Sequence, residues 1–196
     1  MLVGNGRRRT SRAVARWERE YTLASERLVI RPARVEDREE VLTAIDDEVR
    51  HWQGFDDAAV ERWAQNMAPE DPRTGLKGPA SSFVVCETHG PVIGAYRFGS
   101  PRSPGPHMTL GWWLGPSGRG RGLGTESLAM MLAYADRVGL PGIDMGTALD
   151  NVRARRQVES TGAEVIEHDV PHTLPDGRVD RAVWYRHTAA RVDRPG

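Results

Sequence analysis

The 196-residue chain has one cysteine, Cys86, one lysine, Lys77, and no long apolar run. A single cysteine excludes an intramolecular disulfide and any metal cluster built from cysteines alone. Cys86 ends the apolar run Phe83-Val84-Val85-Cys86, so it reads as a buried structural thiol rather than a nucleophile. No stretch approaches the roughly 20 apolar residues of a membrane-spanning helix, and no secretory leader is visible, so the cytoplasm is the default compartment. Net charge is also lacking: 27 basic residues balance 27 acidic ones, which argues against a general nucleic-acid binder. Nearly all the basic residues are arginine, a bias attributed to a GC-rich bacterial genome. The length suits one domain, large enough to bury a core without staples.

What the chain does have is a glycine-rich turn, Arg119-Gly120-Arg121-Gly122-Leu123-Gly124-Thr125. It follows a strand-like segment, His107 to Gly115, and precedes Glu126 to Arg137, where Leu128, Met131, Leu132 and Ala135 recur at helical spacing. Glycines at a helix entrance let the backbone approach a ligand, and the first free N–H groups of the helix attract anions. The turn therefore predicts a phosphorylated ligand.

Spacing narrows which one. A dinucleotide GxGxxG pattern starting at Gly118 or Gly120 needs glycine at Leu123 or Thr125, and GxxxxGK[ST] needs a lysine that the turn lacks. The pattern present is R-x-x-G-x-G. It resembles the coenzyme A pyrophosphate motif of the GCN5-related N-acetyltransferases (GNAT), and three further segments resemble that family in order. Asn151 to Gly162 is similar to its second signature helix, with Asn151 as a good N-cap and Gly162 as a left-handed stop. Ser25 to Pro32 followed by Glu36-Asp37 is similar to the first strand and helix entry of the RimJ/RimL-like branch. Leu174 to Tyr185 is similar to that branch's last hairpin.

The resemblance covers about residues 25 to 187. It implies an α/β (α+β) GNAT fold, a mixed, mostly antiparallel, splayed sheet of about seven strands flanked by about four helices. Strands are expected at 26–31, 82–87, 91–98, 107–114, 142–147, 164–171 and 179–187. Helices are expected at 36–49, 57–67, after the glycine turn, and at 151–161. Residues 68–81 read as a loop. Residues 1–24 form an extension in which 11–21 has a thin apolar stripe suited to a short docked helix, 25–188 form the acetyltransferase domain, and 189–196 form a tail.

The activity implied by the resemblance is transfer of an acetyl group from acetyl-CoA to a primary amine. Cofactor contacts then fall on Gly120, Gly122, Leu123, Gly124 and Thr125 through backbone N–H groups. Arg119 and Arg121 pair with phosphate oxygens, and Trp113 and Leu114 lie at the strand end that offers an N–H to the thioester carbonyl. Asn151 is expected near the thiol. Deprotonating an alkylamine at pH 7 costs about 4.6 kcal/mol, so a base is useful; candidates are His107, Asp144 and Glu87. For thiolate protonation the family's usual tyrosine and serine positions hold Val158 and Ala154, leaving Tyr185, Ser160 or water as proton donors.

The acceptor, a small molecule or a peptide or protein N-terminus, is less determined. Asp46-Asp47-Glu48, Trp52, Phe55 and Asp56-Asp57 fall where relatives line the acceptor groove, and acidic and aromatic side chains suit a cationic amine; a solvated helix end accounts for the charges equally simply. Trp112 and Trp113 alternate faces of one strand. His168, Asp169, His172 and Asp176 lack firm metal-ligand spacing, so no metal is expected. No nucleic acid or membrane partner is expected, and monomer and homodimer both remain open. The competing reading is a catalytically weak CoA-binding sensor or interaction domain.

Overall fold

The computed structural model describes residues 21–67, 82–102 and 104–188. The expected helix at 11–21, all but Tyr21, the loop at 68–81 and the tail at 189–196 lie outside the described residues. Eight strands form one sheet: β1 (Leu23–Ala24), β2 (Leu28–Pro32), β3 (Ser82–Glu87), β4 (Val92–Gly99), β5 (Met108–Leu114), β6 (Ile143–Ala148), β7 (Glu164–Thr173) and β8 (Val179–His187), in the order β1-β2-β3-β4-β5-β6-β8-β7. The short β1 is one strand more than the sequence predicts. Every neighbouring pair is antiparallel except β5 and β6, which the helix α4 (Leu123–Arg137) links as a βαβ unit.

The predicted helix 36–49 is three pieces. A 3-10 turn (Val35–Asp37) leads into α1 (Arg38–Ala44), and α2 (Asp47–Gln53) starts afresh after extended Ile45 and Asp46. The break has a local cause: the Asp46 side chain accepts from Val49 N–H and caps the new helix, and Gly54 at φ 62° closes it. Periodicity of the apolar residues carries through the break, so pattern alone reads one helix. Next, α3 (Asp57–Met67) is capped by Asp56, which accepts from Ala59 N–H at 2.6 Å. Later, α5 (Val152–Glu159) is capped by Asn151, which accepts from Ala154 N–H at 3.0 Å.

Strand alternation divides the core between two faces. Ile30, Val85, Tyr96, Phe98, Leu110 and Met145 meet Leu128, Met131 and Tyr134 of α4 and Val158 of α5 on one face. Val84, Cys86, Ala95 and Trp113 meet Val41, Ile45, Val49 and Val60 of the first three helices on the other. Cys86 is buried, and burial raises its thiol pKa, which makes it an inert core side chain.

The sheet is split at its centre. The parallel register of β5 and β6 covers Met108↔Ile143 and Thr109↔Asp144 and then ends, while β6 stays paired with β8 from Ile143 to Ala148. From Leu110 onward β5 has β4 on one side and an opening on the other.

Candidate functional site

The opening is the mouth of a cleft of about 940 Å³ between the diverging strands, lined by the glycine turn, residues of α5 and the rings of Trp63, Trp113 and Trp184. Backbone orientation along β5 decides what it presents. Gly115 N–H donates to Ile93 O on β4 at 2.8 Å, whereas Met108 N–H donates to Gly142 O before β6 at 3.2 Å. Odd-numbered residues thus address β4, and even-numbered ones face the β6 side. The Leu114 and Trp112 N–H groups therefore point into the opening, and that of Trp113 points to β4. Of the two residues expected at the thioester, Leu114 carries the usable donor.

The glycine turn has the conformation that only glycine adopts cheaply. Gly120 has φ 74°, and Gly122 has φ 76° as the N-cap residue of α4, without a side-chain cap. A Cβ built at Gly120 meets nothing within 4 Å, so the space above the turn is open. The buried Leu123 contributes its backbone, with its side chain in the core. Gly120, Gly122, Gly124 and Thr125 line the cleft. The first N–H groups of a 15-residue helix thus face a concave, open space, which fits a pyrophosphate.

The two arginines of the motif are already paired. Arg119 donates to Leu114 O at 2.9 Å, to both Asp46 oxygens at 2.7 and 2.8 Å, and to Glu48 at 3.0 Å. Glu48 also accepts from Arg153 of α5 at 2.8 Å, so one network ties α2, the glycine turn and α5 around the cleft. The Arg119 hydrogen bond holds the Asp46 carboxyl at about 2, against the usual 3.8. Arg121 forks onto Glu87 at 2.7 and 2.8 Å, and this pair lowers the Glu87 pKa. Both arginines act here as braces of the turn, and a phosphate contact by either requires exchanging a carboxylate. The nearest unforeseen cation is Arg27, bound to Glu126 and to Arg121 O, with its guanidinium 4.0 Å from where a Gly122 Cβ would lie.

Of the remaining expected site residues, the structure brings Asn151 and Ser160 to the cleft wall and leaves His107, Asp144 and Tyr185 elsewhere. His107 precedes β5 at the closed end of the split, against Gly142, and seven residues of strand separate it from Leu114, about 23 Å. Asp144 is buried with both oxygens on Arg186, at 2.7 and 2.9 Å, which makes it half of an ion pair rather than a poised base. Tyr185 is fully buried on the α5 side; its hydroxyl donates to Glu159 at 2.9 Å, and burial raises its pKa. Ser160 lines the cleft, although its hydroxyl donates to Gln157 O at 2.7 Å.

The acidic cluster expected to attract a cationic amine is largely helix caps and surface pairs. Asp46 and Asp56 cap, Asp57 is exposed beside Arg50, and only Glu48 of the group lines the cleft. The aromatic half of that expectation fares differently: Trp52 and Phe55 line the cleft, as do Trp63, Trp112, Trp113 and Trp184.

Several lining residues have no motif to announce them. Gln157 of α5 donates to Gly124 O at 2.6 Å and accepts from the Trp112 indole at 3.3 Å, bridging α5, the glycine turn and β5. Gln53 donates to Trp112 O at 3.0 Å. Tyr96, buried and bonded to Ser127 at 2.9 Å, lines the floor with a pKa raised by burial. His172 of β7 is the histidine of the lining, its ring 5.4 Å from that of Trp184. Burial, aided by Arg102, lowers its pKa below 6.5, so it is neutral at pH 7. Among the described residues, no group of three His, Cys, Asp or Glu side chains is placed to hold a metal, and no helix is long and apolar enough to cross a membrane.

A split sheet with an open, glycine-lined helix start at the split defines a class of α/β proteins suited to an elongated phosphorylated ligand. The chain belongs to the GNAT acetyltransferases, since the family's acetyltransferase domain model matches residues 27–164. Its fold is shared with the ribosomal-protein-S5-alanine acetyltransferase of Vibrio fischeri (TM-score 0.71, 14% identity, 89% of this chain and 99% of that one). It is also shared with a GNAT-family acetyltransferase of Bacillus anthracis (TM-score 0.66, 18% identity, 85% and 98%). A third similar structure is the Salmonella typhimurium protein yncA, solved with acetyl-CoA as its cofactor (TM-score 0.61, 22% identity, 86% and 98%). No curated protein matches the chain. It is an acetyltransferase of a family that uses acetyl-CoA.

Proposed function

We propose that the protein moves the acetyl group of acetyl-CoA to the nitrogen of a primary amine by direct attack on the thioester. The observation that carries this reading is the unpaired β5 edge, with Leu114 N–H facing the cleft, next to a glycine turn whose open N–H groups suit a pyrophosphate. The backbone N–H groups of Gly120 to Thr125 hold the phosphates, and Leu114 N–H donates to the carbonyl oxygen as negative charge develops on it. One preorganised oxyanion donor is worth about 2.7 to 4 kcal/mol. The amine forms the new C–N bond, the C–S bond breaks, and the ammonium proton has to leave while the thiolate gains one.

For the first proton the arrangement favours His172, neutral and in the cleft wall, acting through water, over His107, Asp144 and Glu87. Asn151 spends its side-chain oxygen on the helix cap and keeps its amide N–H₂ for the ligand. Neither Tyr185 nor Ser160 offers a free proton, so water reprotonates the thiolate. A primary amine on a peptide or protein N-terminus is supported by the likeness to an S5-alanine acetyltransferase, and a small amine by the aromatic lining of the cleft. The test is release of free thiol from acetyl-CoA across a panel of amines, with Gly122→Asp as the control that loses cofactor binding. Acetyl-CoA binding with no acetylated amine overturns the transferase reading and leaves a CoA-binding domain.

A further inference from the structure

Resting on that reading of the cleft, we infer that the acceptor carries a carboxylate within about 10 Å of its primary amine and that Arg97 of β4 receives it. The lining of the cleft is strongly one-sided: six arginines, Arg97, Arg102, Arg119, Arg153, Arg156 and Arg181, against the two carboxylates Glu48 and Asp180. Four of the six have carboxylate partners. Arg119 is held by Asp46 and Glu48, Arg153 by Glu48, Arg102 by Glu167 at 2.6 Å, and Arg181 by Asp169 at 2.6 Å. Arg156 is exposed on α5 near the glycine turn. Arg97 alone is half-buried in the lining with no carboxylate partner among the described residues. An arginine half-buried in a cleft wall without a counter-ion suits an anion.

Its position selects the part of the ligand it meets. Along β4 and β5 the same face runs Ala95 beside Trp113, then Arg97 beside Gly111, then Gly99 beside Thr109. A Cβ at Gly111 meets nothing within 4 Å, so the space over the strand beside Arg97 is open. The rings of Trp63 and Trp113, 5.8 Å apart, wall it on the side toward the thioester. Gly111 lies three residues from Leu114, about 10 Å of strand. An amine placed at the Leu114 end and a carboxylate at Arg97 are therefore the two ends of one short acceptor. That carboxylate is either the free C-terminus of an amino acid or short peptide, or an acidic side chain near a longer chain's N-terminus.

The test compares acceptors that differ in one charge: Ala-Ala and Ser-Ala with their C-terminal amides, and the amides Ala-Asp-NH₂ and Ala-Asn-NH₂, on wild type, Arg97→Gln and Arg97→Lys. Wild type prefers the carboxylate member at least about tenfold in kcat/KM, Arg97→Gln removes the preference, and Arg97→Lys restores part of it. Preference for the dipeptides over their amides identifies a free C-terminus, and preference for Ala-Asp-NH₂ identifies an acidic side chain. Equal kcat/KM for both members of every pair in wild type, or a preference untouched in Arg97→Gln, overturns the inference. Binding of N-acetyl-Ala-Ala and its amide to the CoA complex, followed by calorimetry, gives a readout free of turnover. Arg97-dependent binding without acetylation of any amine keeps the inference and sinks the transferase reading, whereas binding indifferent to Arg97 sinks the inference itself.

Discussion

Gly122 is the position where conformation and ligand space make the same demand. Its φ of 76° costs an ordinary residue about 1 to 2 kcal/mol, and any side chain there projects toward Arg27 beside the proposed phosphate site. Gly122→Asp adds a negative charge to that strain, so acetyl-CoA affinity falls by more than about tenfold in calorimetry while the folded spectrum is kept. His172 and His107 separate by pH. A base must be unprotonated, and the His172 pKa lies below 6.5, so wild-type kcat/KM falls on the acid side of that value; His172→Gln flattens this limb and His107→Gln keeps it. The glycine spacing made the turn legible in sequence because it is a local backbone requirement. His172 was visible only as a hairpin histidine, since nothing in the order of residues shows that β7 and β8 close back on the cleft.

Among the elements, the seam between α2, the glycine turn and α5 rests on Asp46, Arg119, Glu48 and Arg153. The folded-state pKa of Asp46 is depressed, so its contribution to stability is present above the unfolded value near 3.8 and is lost as pH falls toward 2. Asp46→Asn therefore lowers Tm at pH 7, and the gap to wild type closes as the melting buffer is taken from pH 4 to pH 2. The Asp144 and Arg186 pair joins β6 to β8 in the same structural sense. Asp144→Asn costs on the order of 2 kcal/mol in denaturant melts and leaves the acid limb of the rate profile in place, whereas a catalytic base at this position loses rate first. Most elements were predictable from periodicity and caps. The break between α1 and α2 was not, because Asp46 looks like one more helical surface residue until its carboxylate is seen accepting from Val49 N–H.

For the molecule as a unit, the described strands form one sheet that opens at its centre into a cleft, because β6 stays paired with β8 and leaves β5. The family was legible in advance through four short segments in order, of which the glycine turn and the Asn151-capped helix are tied to a local backbone need. The acceptor end was not, because its lining comes from α2, α3, β4, β5, β7 and β8 and no single run of sequence defines it. Of the two readings the sequence left open for the acids of residues 46–57, the solvated helix end fits Asp46, Asp56 and Asp57, which are caps or surface pairs, while the cleft wall is rich in arginine. The most direct test is mass spectrometry of an amine panel incubated with acetyl-CoA and purified protein, with Gly122→Asp in parallel. The structure predicts a 42-Da gain on the nitrogen of a primary amine, one free thiol released per product, and neither with the variant. Tight acetyl-CoA binding with no acetylated amine and no thiol release contradicts it.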